Sequence, residues 1–411
     1  MGSTAFDPLT FGYEWETFLT GRNMIPIKSD EVKRLGRKLQ AEIPETRTGT
    51  DHIRGLDSKF LEIRSGILSD YQGLDGRTRE IIGAIKRVCR EKDLVFFPLG
   101  SHPLFGKAAG YHLHVGSVYS LKVAQDLARS LTPYVPLIAA FMANSPFWGI
   151  SEPPGGFKSY RVKYFADWCS TVIVPVERGL GQFVWGNDVL VKGIEKPTVE
   201  IRVMDSPLSV SLLAEASIFI VALTLNLAER HGSGMIDRNT YMEYVVNRRR
   251  AARWGLQALF DWRGERVPAS DILEELVGSV LPAARKLGLD GFELLEKMVR
   301  KRVTQADFLL SLYDGGDLHV YTRDLGNLLE RERDPFMDFL EEAPELPVAE
   351  AESAEDMILS HITIETPFRL LYESLEFPYD FIEDVVEEFR KRGLVKVSRA
   401  PEKGILLTRI R

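Results

Sequence analysis

Polar and apolar residues alternate in four segments of the chain, a period of two that is typical of strands with one buried face. In the last of these, residues 197–205, Glu200 and Arg202 alternate with valine and isoleucine, and Ser206-Pro207 then signals a turn. The other three segments contain Glu14-Trp15-Glu16, Glu62-Ile63-Arg64 and His112-Leu113-His114. If the four strands share a sheet, one face is a core. The other is a cavity lined by carboxylates, imidazoles and guanidiniums.

The rest of the pattern is mostly helical. Apolar residues three and four apart predict helices over residues 29–41, 75–92 and 121–131, and over most of 208–329. Residues 94–99 form a short apolar run typical of a strand. Strands therefore come first and helices later, without a regular strand–helix–strand alternation. This order predicts an α+β fold built around an antiparallel sheet.

Composition narrows the class of protein. A length of 411 residues favours two domains, and a net charge of −7 argues against bulk affinity for nucleic acid or anionic membranes. The two cysteines, Cys89 and Cys169, exclude a disulfide framework, and Cys89 fits a buried helix position. The longest apolar run, 216–227, is shorter than the ~20 residues needed to span a bilayer. We therefore expect a cytoplasmic protein without a membrane partner.

The common nucleotide-binding motifs do not occur: neither a phosphate-binding loop of the G-x-x-x-x-G-K-[ST] type nor a dinucleotide fingerprint is present. Metals and arginines would have to handle any phosphate. Carboxylates converging on one sheet face can hold Mg²⁺ or Mn²⁺ at about 2.1 Å, and nearby arginines can neutralise a phosphoryl group. A single Glu-x-Glu is usually a solvated strand face, and a single His-x-His is usually not a metal site. The prediction depends on the four segments meeting.

A series of blocks resembles the glutamate–cysteine ligase type 2 family of carboxylate–amine ligases, in the same order and over roughly residues 8 to 330. The blocks are Gly12-Tyr13-Glu14-Trp15-Glu16, Glu62, Gly100-Ser101-His102-Pro103, His112-Leu113-His114-Val115-Gly116, Ala143-Asn144-Ser145-Pro146-Phe147-Trp148-Gly149, Ser159-Tyr160-Arg161, Thr198-Val199-Glu200-Ile201-Arg202-Val203-Met204-Asp205 and Asn247-Arg248-Arg249-Arg250-Ala251-Ala252-Arg253-Trp254-Gly255-Leu256.

The resemblance implies a glutamine synthetase-like catalytic fold, a curved antiparallel sheet packed with helices. It also implies an ATP- and Mg²⁺- or Mn²⁺-dependent ligase. Such enzymes phosphorylate the γ-carboxylate of glutamate, and an amine, cysteine by family default, attacks the acyl phosphate to form the amide. The small-molecule partners implied are glutamate and an amine. The oligomeric state stays open between a monomer and a homo-oligomer.

Roles for individual residues also follow from the resemblance. Arg202 would face the phosphates, and Arg161 the substrate carboxylate or the transferring phosphate. Arg64, His114 and Arg253 are candidates for contacts to the cofactor, with His114 open between ligation and support of the neighbouring ligand. His102 stays open between a structural role and one in the site. The implied metal ligands are Glu14, Glu16, Glu62, His112 and Glu200.

One stretch departs from the family. Its members usually carry a Pro-x-x-Gly-x-Pro loop after the Ser-Tyr-Arg block, near the amino-acid pocket. Here the chain reads Asp167-Trp168-Cys169-Ser170-Thr171-Val172-Ile173-Val174-Pro175. The resemblance therefore supports the ATP and metal half of the site, and it leaves the acceptor amine open.

The C-terminal part has its own pattern. We expect a catalytic domain over residues 1–335, an acidic linker over 336–356, and a winged-helix-like domain over 357–411. In that last part the pattern predicts two helices, over residues 366–376 and 378–392, and a hairpin over 395–410. The second helix carries Asp380, Glu383, Asp384, Glu387 and Glu388, which would repel phosphates. Nucleic acid is therefore an improbable partner. The alternative to a ligase is a non-catalytic regulator that binds nucleotide or amino acid on the same fold, with the winged helix as its output.

Overall fold

The computed structural model describes residues 5–44, 47–52, 59–164, 188–193, 195–229, 238–331, 333–350, 353–362, 366–375, 379–400 and 404–410. The strands are β1 (Phe6–Gly21), β2 (Arg47–His52), β3 (Lys59–Arg64), β4 (Leu94–Phe97), β5 (Ser101–His102), β6 (Phe105–Ala108), β7 (Gly110–Val118), β8 (Val189–Lys192), β9 (Thr198–Asp205), β10 (Leu259–Trp262), β11 (Glu265–Pro268), β12 (Thr366–Pro367), β13 (Val395–Ala400) and β14 (Gly404–Arg409).

The helices follow the same chain order. They are α1 (Ser29–Glu42), α2 (Tyr71–Lys92), α3 (Leu121–Leu131), α4 (Val135–Phe141), α5 (Tyr160–Tyr164), α6 (Val210–Glu229), α7 (Arg238–Trp254), α8 (Ala269–Lys286), α9 (Glu293–Lys301), α10 (Gln305–Ser311), α11 (Leu318–Leu329), α12 (Pro335–Glu342), α13 (Ala354–His361), α14 (Phe368–Leu375) and α15 (Tyr379–Lys391).

An antiparallel sheet with the order β2-β3-β1-β7-β9-β8 holds the four patterned segments. Strand β1 is its spine: it pairs with β7 on one side and with β3 on the other, and its last residues pair with β4. The sixteen residues of β1 exceed the usual strand length of about 5–6, so one strand can serve three partners. The predicted α+β class with an antiparallel sheet is confirmed.

The register places the polar positions on one face. Directly paired residues of antiparallel strands point to the same side. Glu14 pairs with Arg64 of β3 and with His112 of β7. His114 pairs in turn with Glu200 of β9. The four segments therefore meet as the alternation predicts.

The pairing of β7 with β9 contains a bulge. Tyr111 faces Met204, but Leu113 faces Ile201, so β9 advances three residues while β7 advances two. A bulge bends the strand and re-aims side chains locally. The extra residue lies beside Arg202, at the edge of the polar face, and no sequence pattern indicated it.

The opposite face of the sheet packs on helices. Trp15 and Tyr111 are buried there. The Trp15 indole donates to Ser206 Oγ, and the Tyr111 hydroxyl bonds Ser217 Oγ of α6, each within 3 Å. Burying large aromatic rings while keeping their polar ends bonded stabilises this layer. The predicted core face of the four strands is therefore the observed one.

Helix α6 is longer than the apolar run seen in the sequence. It spans 20 residues with a mean hydropathy of 2.0, long and apolar enough to cross a membrane by length and composition. However, 67% of its apolar window is buried inside the protein, and α6 packs against α2, α8 and α9. A helix apolar on all sides and covered by other elements is typical of a core helix.

The segment expected to be an acidic linker begins with a packed helix. Phe336 and Leu340 of α12 are fully buried, and both Phe336 and Phe339 contact the Phe308 ring of α10. The chain beyond α12 stays attached, because the Leu346 amide donates to Lys301 O at 2.9 Å and that of Ala349 to Gln257 O at 2.8 Å. Residues 335–350 thus lie against the larger part of the protein.

At the C-terminus, α13, α14 and α15 pack on one another and beside a small sheet with the order β12-β14-β13. The hairpin of β13 and β14 lies where the sequence predicts it. Helix α13 and strand β12 were not expected. Asp380, Glu383, Asp384 and Glu388 are all exposed on α15. The winged-helix assignment and the domain bounds stay predictions.

Candidate active site

Glu14 is the centre of the polar face. Its two carboxylate oxygens approach both histidines of β7: Oε2 lies 3.6 Å from His112 Nδ1, and Oε1 lies 3.7 Å from His114 Nε2. From the other side, Arg64 Nε lies 3.2 Å from Oε1. Burial raises the pKa of Glu14, but hydrogen bonding to both histidines and the charges of His114 and Lys192 together hold it well below its usual range. The carboxyl group is therefore ionised at neutral pH.

Glu200 completes the cluster from β9. Its Oε1 lies 3.6 Å from both His112 Nδ1 and His114 Nε2. One donor atom each from Glu14, His112 and Glu200 lies within 4.8 Å of the other two. Glu200 is fully buried. Burial opposes its ionisation, but the charges of His114, Arg202 and Lys192 keep its pKa lowered.

The pKa of His112 is lowered too, and in a histidine this favours the neutral form. Burial lowers its pKa, and the charge of Arg202 adds to this, while Glu14 opposes both. A neutral imidazole keeps a nitrogen lone pair, the form in which histidine binds a metal ion. The site thus offers ionised carboxylates together with a neutral imidazole.

This donor set fits a divalent ion. Both Glu200 oxygens and His114 Nε2 are buried, and among the described residues none of them makes a hydrogen bond of acceptable geometry. Buried polar atoms normally have such partners, so these atoms are candidates to bind a cation, which at Glu200 Oε2 would meet the Lys192 ammonium 2.8 Å away. Two ligands of one Mg²⁺ ion lie at most about 4.2 Å apart. The three donor atoms lie within 4.8 Å of one another, so closing on one ion needs at most a small contraction.

Glu16 and Glu62 extend the acidic face beside Glu14, where the register pairs them directly. Glu16 Oε2 accepts a hydrogen bond from the Gly110 amide at 2.6 Å. Glu62 accepts from Arg64 Nε at 2.9 Å. Burial and the charge of Glu14 raise the pKa of Glu62 to about 6. A second cation near Glu62 would offset this repulsion. The negative charge of the face can therefore balance more than one ion.

The two predicted catalytic arginines have different surroundings. Arg202 lies on the polar face, with Nε 3.6 Å from Glu200 Oε1 and a side chain that is 20% exposed. Arg161, on α5, is buried and donates to the main-chain carbonyls of Val203 and Arg202, both at 3.0 Å. These are the carbonyls of the bulge in β9. Arg161 therefore holds the strand that carries Arg202.

Gly110 explains why Arg161 fits there. A Cβ at this position would lie 2.4 Å from Arg161 Nη2 and 3.0 Å from His112 Nε2. Both distances are shorter than ordinary contacts, so any larger residue would displace one of the two side chains. The glycine thus brings the Arg161 guanidinium next to the cluster.

Arg253 and His102 lie outside the polar face. The Arg253 guanidinium packs over the Trp254 ring at 5.0 Å from its centroid, at the end of α7. His102 is buried among the rings of Phe18, Phe97 and Phe105. Burial lowers its pKa to about 3. The surroundings of His102 are those of a structural histidine. Residues 167–175, where the sequence departs from the family, lie outside the described residues.

Sequence reasoning missed the network around Asp205. This buried carboxylate accepts hydrogen bonds from the Asn144 amide and the Ser145 hydroxyl at 2.7 Å, and from the Ser159 hydroxyl at 2.9 Å. A Cβ at Gly100 would lie 2.6 Å from it. Four of the quoted sequence blocks therefore meet at one residue, which positions the loops beside the cluster. Their common polar character was the only signal.

Lys192 was missed as well. It ends β8, and its Nζ lies 2.8 Å from Glu200 Oε2. Residues 189–192 read Val-Leu-Val-Lys, which by itself indicates only a short apolar strand. The lysine becomes visible as part of the site once β8 is paired with β9.

A separate cavity of about 350 Å³ lies beside α2, lined in part by Arg79, Lys86, Phe96 and Asp334. None of the predicted site residues lines it. Arg79 is paired with Asp75, and Lys86 donates to Arg331 O. A search for the active site by cavity shape alone would therefore have led to this cavity and not to the acidic cluster.

Sequence comparison agrees with this geometry. The family model for glutamate–cysteine ligase family 2 matches residues 107–196. A relative from Rhodospirillum rubrum, provisionally assigned as glutamate–cysteine ligase 2, is 24% identical over 364 residues, covering 77% of this chain and 92% of its own. One from Frankia casuarinae with a similar provisional assignment is 32% identical over 249 residues, covering 54% and 62% respectively.

Two solved structures share the fold. Glutamate–cysteine ligase from Francisella tularensis, in complex with AMP, superposes with a TM-score of 0.55 at 11% identity, over 95% of this chain and 99% of its own. A bifunctional glutathione synthetase from Pasteurella multocida gives 0.54 at 11% identity, over 96% of this chain and 56% of that one. At this identity the likeness concerns the fold. Together, the family match over residues 107–196 and the relatives show that this chain is similar to the glutamate–cysteine ligase 2 family, and they support a carboxylate–amine ligase.

Proposed function

We propose that the protein joins the γ-carboxylate of glutamate to an amine through an acyl phosphate, using ATP and Mg²⁺ or Mn²⁺. The observation that carries this proposal is the cluster of Glu14, His112 and Glu200, whose donor atoms lie within 4.8 Å of one another. Its ionised carboxylates and neutral imidazole suit a hard divalent ion. We expect the enzyme to work in the cytoplasm, where ATP and amino acids are available.

Glu14, His112 and Glu200 would hold one ion, and Glu16 and Glu62 would contribute to it or to a neighbouring one. The bound ion supplies charge that neutralises the ATP phosphates and orients them. His114, 3.6 Å from Glu200 Oε1, either joins these ligands or supports them. Arg64 pairs with Glu14 and Glu62 and limits repulsion between them.

Arg202 is the residue that we place nearest the reaction. In the first step a glutamate γ-carboxylate oxygen attacks the γ-phosphorus of ATP, and ADP leaves. In the second, the amine nitrogen attacks the acyl carbon, phosphate leaves, and the nitrogen loses a proton. Negative charge develops on the leaving phosphate oxygens in both steps. A fixed guanidinium beside the cluster stabilises that charge. Arg161 acts through the β9 backbone instead.

The acceptor amine is the part of the proposal with the least support. Cysteine is the family default, but the sequence departs from the family at residues 167–175, near the pocket expected for the amino acid. We therefore propose glutamate as the carboxylate substrate and treat cysteine as the first amine in a panel.

The test measures ADP release with glutamate and a panel of amines, and identifies the products by mass spectrometry. We expect metal-dependent ADP release, with a γ-glutamyl amide formed from at least one amine. Glu200→Gln should lower kcat by at least 10²-fold, because it removes a metal ligand. The matched control is Glu195→Gln, an exposed glutamate before β9, which should retain wild-type turnover.

Binding of ATP without ADP release from any pair of substrates would contradict the ligase and favour the regulator. Equal activity of the Glu200 and Glu195 variants would show that the cluster is not the metal site.

A further inference from the structure

Lys192 is a cation of the polar face that lies outside the sequence blocks resembling the ligase family. Strand β8 pairs with β9 so that Leu190 faces Glu200 and Lys192 faces Thr198. Alternate residues share a face, and therefore Lys192 points to the same side as Glu200, at the sheet edge. Its ammonium reaches Glu200 Oε2 at 2.8 Å, while Glu200 itself is fully buried.

The contact matters because Glu200 also lies in the proposed metal cluster. A buried carboxylate needs a compensating charge. Lys192 is its nearest cation among the described residues, since Arg202 Nε is 3.6 Å from Oε1. An ion bound at Glu14, His112 and Glu200 would bring a second positive charge next to the ammonium. The two cations repel each other strongly at such distances.

Lys192 is less constrained by its surroundings than Arg202. It is the last residue of the edge strand β8, followed by Gly193 with a φ of 78°. Its side chain is 27% exposed, and a lysine has a flexible four-carbon stem. Arg202, in contrast, lies in the central part of β9, whose carbonyls Arg161 holds.

We propose that Lys192 is an internal counter-ion that competes with the divalent ion for Glu200. When the ion binds, the ammonium leaves the carboxylate and pairs with the polyphosphate of ATP. This inference depends on the proposed function, because it requires the metal site. It predicts that metal and nucleotide bind cooperatively, since the nucleotide takes up the displaced charge.

The experiment compares wild type with Lys192→Met, and uses Lys196→Met as the matched control. Lys196 is exposed in the turn between β8 and β9, so its loss changes the net charge equally without touching Glu200. Binding of Mn²⁺ alone is measured from the electron paramagnetic resonance signal of the free ion. Binding of a non-hydrolysable ATP analogue at saturating Mn²⁺ is measured by calorimetry.

We expect Lys192→Met to bind Mn²⁺ alone about 10-fold more tightly than wild type, because its competitor is removed. It should bind the analogue about 10-fold more weakly, because the phosphate partner is lost. A variant with general structural damage would lose affinity for both. Lys196→Met should stay within about twofold of wild type in each assay, and Lys192→Gln should repeat the Lys192→Met result.

Unchanged or weaker Mn²⁺ binding by both Lys192 variants would overturn the competition. Unchanged analogue binding would overturn the transfer to phosphate. If wild type binds Mn²⁺ and turns over while the Lys192 variants behave like it, only this inference fails. If neither wild type nor any variant binds Mn²⁺, the metal site fails, and this inference fails with it.

Discussion

The two arginines beside the cluster differ in what they contact. This difference separates a residue placed to act on the substrates from one that holds the strand in position. Arg202 projects from β9 into the polar face, whereas Arg161 donates from α5 to two main-chain carbonyls of the same strand. Sequence reasoning treated both as catalytic, since both lie in blocks that resemble the family. Their substitution should therefore have different consequences.

Arg202→Lys keeps the charge and loses the planar fork that binds two oxygens at once. We expect kcat to fall by about 10²-fold, the scale for removing one electrostatic contact in a transition state. The KM for ATP and the melting temperature should change little. Steady-state kinetics and a thermal melt on this variant decide between roles. A wild-type kcat would remove Arg202 from the mechanism.

Arg161→Met should act on stability first. It leaves the buried carbonyls of Arg202 and Val203 without their donors, at about 1–3 kcal/mol each. We expect the free energy of unfolding to fall by about 2–6 kcal/mol, with activity lost in parallel. Urea unfolding followed by circular dichroism measures this. Full stability combined with lost activity would instead place Arg161 at the substrate.

At the level of single residues, the alternation predicted which polar side chains share one face of the sheet, whereas their role as metal ligands stays a prediction. Strand alternation is local, so Glu14, Glu16, Glu62, His112 and Glu200 could be assigned to one face before the sheet was known. Lys192 could not be assigned, because its role depends on which strand β8 pairs with. The same holds for Asp205, whose partners come from distant loops.

Among the elements, the junction of α6 and α9 contains a titratable contact. Glu215 of α6 accepts hydrogen bonds from the amides of Leu294 and Leu295, at the start of α9, at 3.0–3.1 Å. A carboxylate is favourable at a helix N-terminus. However, burial raises the pKa of Glu215 to about 7, and the charges of Glu293 and Glu296 add to it.

The sign of the resulting pH dependence follows from linkage. The pKa is higher in the folded state, about 7, than the ordinary 4.5, so the folded state binds the proton more tightly. The Glu215 contribution to stability is therefore present at low pH and is lost as pH rises from about 5 to 7. Glu215→Gln should reduce the loss of unfolding free energy between pH 5 and 8 by about 2 kcal/mol.

Urea midpoints of wild type and Glu215→Gln at both pH values measure this. A suitable control is Glu274→Gln, on the exposed side of α8, which should reproduce the wild-type dependence. An equal dependence in wild type and the Glu215 variant would contradict the argument.

Element boundaries show where local patterns stop being sufficient. Helix α3 lies where the spacing of its apolar residues predicts it, because those residues are the ones that the structure buries. Residues 366–367 were expected to begin a helix, but they form β12 and pair with β14. Pairing partners separated by some forty residues leave no local trace in the sequence. Tertiary contacts therefore decided this boundary.

For the molecule as a whole, the point of separation between the catalytic part and the C-terminal part can be tested by truncation. A chain ending after residue 350 keeps α12 and the amide contacts of Leu346 and Ala349. We expect it to retain ligation within about twofold of the full chain, since no candidate site residue lies beyond Arg253. ADP release by the two proteins measures this.

The matched comparison ends after residue 334 and removes α12, whose Phe336 and Leu340 are fully buried. It should unfold or aggregate, because about 3–5 kcal/mol is typical for the loss of one such core side chain. Loss of activity in a folded chain ending at 350 would show that the C-terminal part helps to build the site.

The bulge in β9 has a consequence for the whole arrangement. Ile201 and Met204 lie on the same face although they are three residues apart. The alternation of side chains between the two faces therefore shifts by one residue halfway along the strand. Glu200 and Asp205, at even and odd positions, can therefore both avoid the hydrophobic layer. If the same residues paired regularly, without the bulge, Met204 would leave the core face and the Asp205 carboxylate would turn towards Tyr111 and its neighbours. The bulge thus lets one strand supply carboxylates to the polar face on both sides of that shift.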